Sequence, residues 1–165
     1  MRPFAFALAA AALSLAAAVP AAAAPARVAQ AGPYVDMSAY VSGDAQIDAW
    51  YGGRVRLQRD FDAICGDTFC EGDYSNIQPL RFVCSVHQAS GRLGGCVWTF
   101  AASDEAVDPR TGAIAVRPQV WRCPVPLAPR TTAEALLAVL AAESPLYAPL
   151  PGTDRSIYDG LIDCL

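Results

Sequence analysis

Between Leu80 and Phe100 the apolar residues recur at every second position, and this alternation constrains the fold more than any other feature of the chain. Leu80, Phe82, Cys84 and Val86 fall on one face, and Cys96, Trp98 and Phe100 share a face of the run that follows. A period of two is the pleat of a strand with one side buried. Between the runs lies Ala89-Ser90-Gly91-Arg92-Leu93-Gly94-Gly95, whose three glycines suit the loop of a hairpin. The two runs therefore predict an antiparallel hairpin with Cys84 and Cys96 roughly opposite on its apolar face. Asp108-Pro109-Arg110-Thr111-Gly112 is a second turn signal, because proline presets the turn and glycine takes its left-handed or bulge position. A third strand is expected over about 113 to 123, and Pro118 makes it an edge strand or the site of a bulge.

Helical spacing brackets this meander. Asp44 is placed to cap a helix over 45 to 51 carrying Ile47, Trp50 and Tyr51, which Gly52-Gly53 is expected to break. Leu57, Phe61 and Ile64 then stand at i, i+4 and i+7, so a second helix is expected over 54 to 65, with Gly66 as its stop. Arg56 and Asp60 are spaced as an i, i+4 pair, and Arg59 and Asp62 as an i, i+3 pair. Further on, Thr131-Thr132-Ala133-Glu134 has the form of a capping box, and Leu136, Leu137 and Leu140 give a helix over 132 to 143 one apolar side. The segment SPLYAPLP, residues 144 to 151, has three prolines and reads as a loop over the core, with an exposed extended ligand as the alternative. A final helix over 154 to 164 would pack Ile157, Leu161 and Ile162. The order predicts an α+β fold: one small domain with a three-stranded antiparallel meander against two N-terminal and two C-terminal helices, stapled by disulfides.

The first residues, MRPFAFALAAAALSLAAAVPAAAA, place Arg2 before an apolar run and end in small residues, the pattern of a secretory signal peptide cleaved near Ala23. The run is too short and alanine-rich for a membrane span of about 20 residues. The expected organisation is a signal peptide over 1–23, a flexible tail over 24–43 and one domain over 44–165. All six cysteines lie beyond the leader, and an even number in an exported chain points to bridges. The expected pairs are Cys65–Cys70, Cys84–Cys96 and Cys123–Cys164, although six cysteines allow about 15 pairings and Cys65 or Cys70 reaching the sheet stays open. The formal net charge is −4, and −5 once Arg2 is lost with the leader. An acidic domain without a basic stripe argues against nucleic acid, and it favours a protein partner with a basic surface.

The densest chemistry is ICGDTFCEGDY, residues 64 to 74. Asp60, Asp62 and Glu71 match the first, third and last ligand positions of a calcium loop, but Ile64 and Cys65 stand where an oxygen ligand and a glycine are required. Asp60 and Asp62 would also diverge by about 200° around a helix. Three acids remain as binding candidates: Asp67, Glu71 and Asp73. A non-standard calcium site on the same three is the alternative, against a solvated acidic loop. The Cys-x₄-Cys spacing and a single histidine do not suit zinc. His87 reads as a solvent-facing strand residue, and neither a Gly-x-Ser-x-Gly elbow nor a phosphate-binding glycine loop is present. No catalytic residue and no cofactor is assigned. The sequence thus suggests an exported, non-catalytic macromolecule-binding protein of inhibitor, immunity or envelope accessory type, periplasmic or extracellular. The alternative is a calcium-dependent domain or a small envelope hydrolase using the same carboxylates.

Overall fold

The computed structural model describes residues 32–165. The expected leader therefore lies outside the described residues. The elements run β1 (Tyr34–Asp36), α1 (Met37–Tyr40), α2 (Asp44–Ile64), a π turn (Cys65–Phe69), β2 (Gln78–His87), β3 (Leu93–Val107), β4 (Ile114–Pro124), α3 (Ala133–Leu140) and α4 (Ile157–Ile162). The strands form one antiparallel sheet in the order β1-β2-β3-β4. This is an α+β domain with four strands, where the alternation predicted three. The extra strand pairs Tyr34 with His87 and Asp36 with Ser85. Three residues are too few to display a period, so it is not visible in the sequence. Asp36 also accepts a hydrogen bond from the Ser38 amide at 2.8 Å and so caps α1. Residues 34 to 40, expected as part of a flexible tail, are thus built into the sheet edge and a helical turn.

In the β2–β3 hairpin, Phe82 is opposite Trp98 and Cys84 opposite Cys96. Their side chains, with Val86 and Phe100, are buried against the helices. Leu80 departs from the pattern. A register shift between Pro79 and Arg81 turns it out of the core, leaving it 59% exposed. β4 is an outer strand with Pro118 opposite Ser103, where a missing amide costs no inner ladder bond.

The two expected N-terminal helices, 45 to 51 and 54 to 65, are one helix of 21 residues that runs through Gly52-Gly53. Gly53 does not break α2; it lets α3 come close. A Cβ at Gly53 would lie 2.6 Å from the Leu140 Cβ and 2.9 Å from the Leu140 carbonyl oxygen. Arg56 donates to that same carbonyl at 2.7 Å, and Arg59 to the Glu143 carbonyl at 2.5 Å. Neither arginine keeps its expected partner. Asp60, only 6% exposed, is held instead by Arg59 at 2.8 Å, and it accepts the Leu146 amide at 3.4 Å. Packing, not helix spacing, decides these pairs, because Asp60 lies on the buried face beside Leu57 and Phe61. That carboxylate ties α2 to the proline-rich segment, whose Leu146 and Leu150 are buried.

The caps of the C-terminal helices also sit later than expected. Thr132, not Thr131, caps α3 by accepting the Ala135 amide at 3.2 Å. Thr131 is buried and donates to the Ala128 carbonyl at 2.7 Å. The capping box of the structure is at α4, where Ser156 and Asp159 satisfy one another's backbone amides. Three disulfides join Cys65 to Cys70, Cys84 to Cys96 and Cys123 to Cys164, with Cα atoms 5.0, 4.1 and 5.4 Å apart. The last ties the C-terminus to β4. Among the described residues no helix is long and apolar enough to cross a membrane.

Candidate functional site

The acidic loop begins where α2 loses its regular pitch. Gly66 was expected to stop the helix; instead the backbone widens into the π turn, closed by the Cys70 amide donating to the Cys65 carbonyl. The Cys65–Cys70 disulfide spans the same turn. Gly72 then takes φ +93°, a left-handed conformation that side-chain-bearing residues rarely adopt.

Three contacts anchor the loop to the body. Phe69 is half-buried, stacked on Phe61 with ring centroids 5.9 Å apart, and tilted against Tyr158 at 5.9 Å. Tyr74 meets the Trp121 ring edge-on at 5.5 Å. Asn76 donates to the Ser103 hydroxyl at 3.2 Å and accepts the Ser103 amide at 3.0 Å. Aromatic pairs of this geometry add about 0.5–1.5 kcal/mol each beyond burial. The loop is therefore fastened to α2, α4, β3 and β4 while its acids project outward.

Asp67, Glu71 and Asp73 are all exposed. Their surroundings differ. Asp73 lies near Arg117 of β4. The hydrogen bond and charge of Asp104 raise the Arg117 pKa above its usual value, and Tyr74 and Asp73 add smaller contributions. Arg117 donates through Nε to Asp104 at 2.8 Å, so its charge is largely committed to that strand pair. Asp67 and Glu71 make no ion pair among the described residues. In sequence the loop has no basic neighbour until Arg81; in space β4 brings Arg117 beside it. The pairing of β3 with β4, which sets Asp104 opposite Arg117, is the signal that would have placed this cation.

Among the described residues, no group of three or more His, Cys, Asp or Glu is placed to hold a metal ion. A calcium reading of these acids thus has no geometric support, and no metal chemistry is built on them. The single histidine is local in its contacts. The His87 Nδ1 and the Ser90 hydroxyl are 3.0 Å apart across the β2–β3 turn, and Tyr34 packs edge-on to the ring at 5.2 Å. Ser90 also accepts the Arg92 amide at 3.4 Å. These bonds close a turn, and among the described residues no carboxylate is hydrogen-bonded to the imidazole.

What remains is an anionic corner of Asp67, Glu71 and Asp73, none of which forms an ion pair among the described residues. Such a corner can attract a cationic surface and fix its register. No family model matches this chain, and no curated protein or solved structure is significantly similar to it.

Proposed function

We propose that this is an exported, non-catalytic protein that binds a macromolecular partner with a basic surface, using Asp67 and Glu71 as the centre of its contact. One observation carries the reading: Asp67 within the turn that the Cys65–Cys70 disulfide closes, and Glu71 just beyond it, make no ion pair among the described residues and belong to a loop that Phe69 and Asn76 pin to the body. A charged surface held in place before binding loses little conformational freedom on association, and its field speeds encounter with an oppositely charged partner. The three disulfides support export, because such bridges persist in oxidising compartments. The N-terminal sequence supplies a leader of matching type.

The experiment is a quantitative pull-down from the native cell envelope with the wild-type protein and with Asp67→Arg/Glu71→Arg. The reading predicts a basic partner recovered by the first and lost from the second. Unchanged recovery of every partner removes the turn from the binding role. N-terminal sequencing of the mature protein tests export: it is expected to start near Ala24, and an intact Met1 on a cytoplasmic protein contradicts it.

A further inference from the structure

A cavity with different chemistry opens between α2 and the start of β2. The register shift between Pro79 and Arg81 turns Leu80 out of the core, and Leu80, Phe82 and Trp98 all line the cavity. The cavity measures about 250 Å³. Its floor is the two aromatic side chains, each almost fully buried, and its walls are Tyr51, Val55 and Leu80. Those walls are 47, 70 and 59% exposed, so three large apolar side chains stand in water around one hole. Exposed apolar groups grouped about a concavity mark binding sites more often than isolated ones do.

Arg54 also lines the cavity. Its guanidinium lies over the Trp50 ring at 5.6 Å and the Tyr51 ring at 5.8 Å. These contacts hold the cation in position without neutralising it. Among the described residues Arg54 has no carboxylate partner, unlike Arg59, Arg81, Arg117 and Arg155. An aromatic floor, apolar walls and one preset, unpaired guanidinium form a complementary pair of subsites.

We propose that this cavity binds a small aromatic monocarboxylate, its ring over Phe82 and Trp98 and its carboxylate on the Arg54 guanidinium. An apolar cavity of about 150 Å³ suffices for a benzene ring, so the volume here accepts one ring and a short acid chain but not a fused polycycle. A guanidinium can meet a carboxylate through two parallel hydrogen bonds, which an uncharged amide does not match. The acidic turn plays no part, so this site stands or falls independently of the function proposed above.

The probe is 3-phenylpropionate, titrated into ¹⁵N-labelled protein while the indole N–H resonances of Trp50, Trp98 and Trp121 are followed. Saturable shifts are expected at Trp98 and Trp50 and none at Trp121, with a dissociation constant on the order of 1 mM for a ligand of about eleven heavy atoms. The corresponding primary amide should bind at least about tenfold more weakly. Arg54→Gln should make acid and amide equal. Val55→Asp changes an exposed helix position and so spares the fold; it removes an apolar wall from both ligands and adds a negative charge, so it should weaken the acid more than the amide. Absence of saturation by about 10 mM, a shift centred on Trp121, or discrimination that survives in both variants overturns the proposal.

Discussion

Gly52 and Gly53 are adjacent in one helix, yet replacing each by alanine should have opposite effects. At either position alanine gains about 1 kcal/mol of helix propensity over glycine. At Gly53 the new methyl would meet the Leu140 Cβ at 2.6 Å and its carbonyl oxygen at 2.9 Å, neither of them a flexible end. Relieving that overlap moves α2 from α3, and overpacking of this kind costs about 1–3 kcal/mol. The displacement also weakens the Arg56 bond to the Leu140 carbonyl, a loss of about 1 kcal/mol. Gly53→Ala should therefore destabilise the protein by about 1–3 kcal/mol. At Gly52 the nearest atom is the Arg56 guanidinium at 3.2 Å, which needs to give by only a few tenths of an ångström and can do so while keeping its bond to the Leu140 carbonyl. Gly52→Ala should then stabilise by up to about 1 kcal/mol. In thermal unfolding of the oxidised protein, each kcal/mol corresponds to about 3–5 °C at this size. If Gly53→Ala matches or exceeds the wild type, the close approach of α2 and α3 at this glycine is wrong. If Gly52→Ala destabilises as much as Gly53→Ala, the continuous helix is wrong.

Three other outcomes follow from the same packing. Removing Cys123–Cys164 by paired serine substitution should cost about 4 kcal/mol and removing Cys65–Cys70 about 2, as the loops they close span 41 and 5 residues; urea unfolding ranks them. Asp60→Ala leaves the buried Leu146 amide without its acceptor, while Arg59 keeps the Glu143 carbonyl, and a loss of about 1–2 kcal/mol is expected by the same assay. The Asp159 carboxyl is held below the usual carboxylate range, chiefly by the Ser156 amide it accepts. Its capping contribution is thus fully present above about pH 4 and lost as pH falls through the lowered folded value. The exchange protection of α4 amides, corrected for the intrinsic rate, should fall over that acid range, and Asp159→Asn should remove the part of the fall that comes from this cap.

The sheet was legible because Phe82, Cys84 and Val86 keep strict alternation and three glycines mark the turn. Leu80 belongs to the same sequence pattern but not to the same face, because a register shift leaves the composition of a strand unchanged. Gly52-Gly53 shows the opposite failure: glycine signals both a helix end and a close approach, and only the position of Leu140 separates them. Arg59 and Asp60 pair although they are neighbours in sequence, since burial of Asp60 against the 144–151 segment outweighs helix-surface spacing. Of the acidic loop, the residues were legible and the surroundings were not. Arg117 lies 44 positions from Asp73 in the chain, and only the β3–β4 register brings it near. The cavity beside Arg54 had no sequence signal of its own, because its lining residues come from α2, β2 and β3 and only the tertiary packing brings them together.

The central claim is that the turn bearing Asp67 and Glu71 is the contact surface. Site-specific photo-crosslinking in the native envelope tests it most directly, with the crosslinker at Asp67 and, as control, at the exposed Glu134 of α3. The account predicts one discrete basic adduct from position 67 and none from 134. The yield should fall as salt is raised to about 1 M, where charges are screened within about 3 Å. Identical adducts at both positions, or none at 67, contradict it.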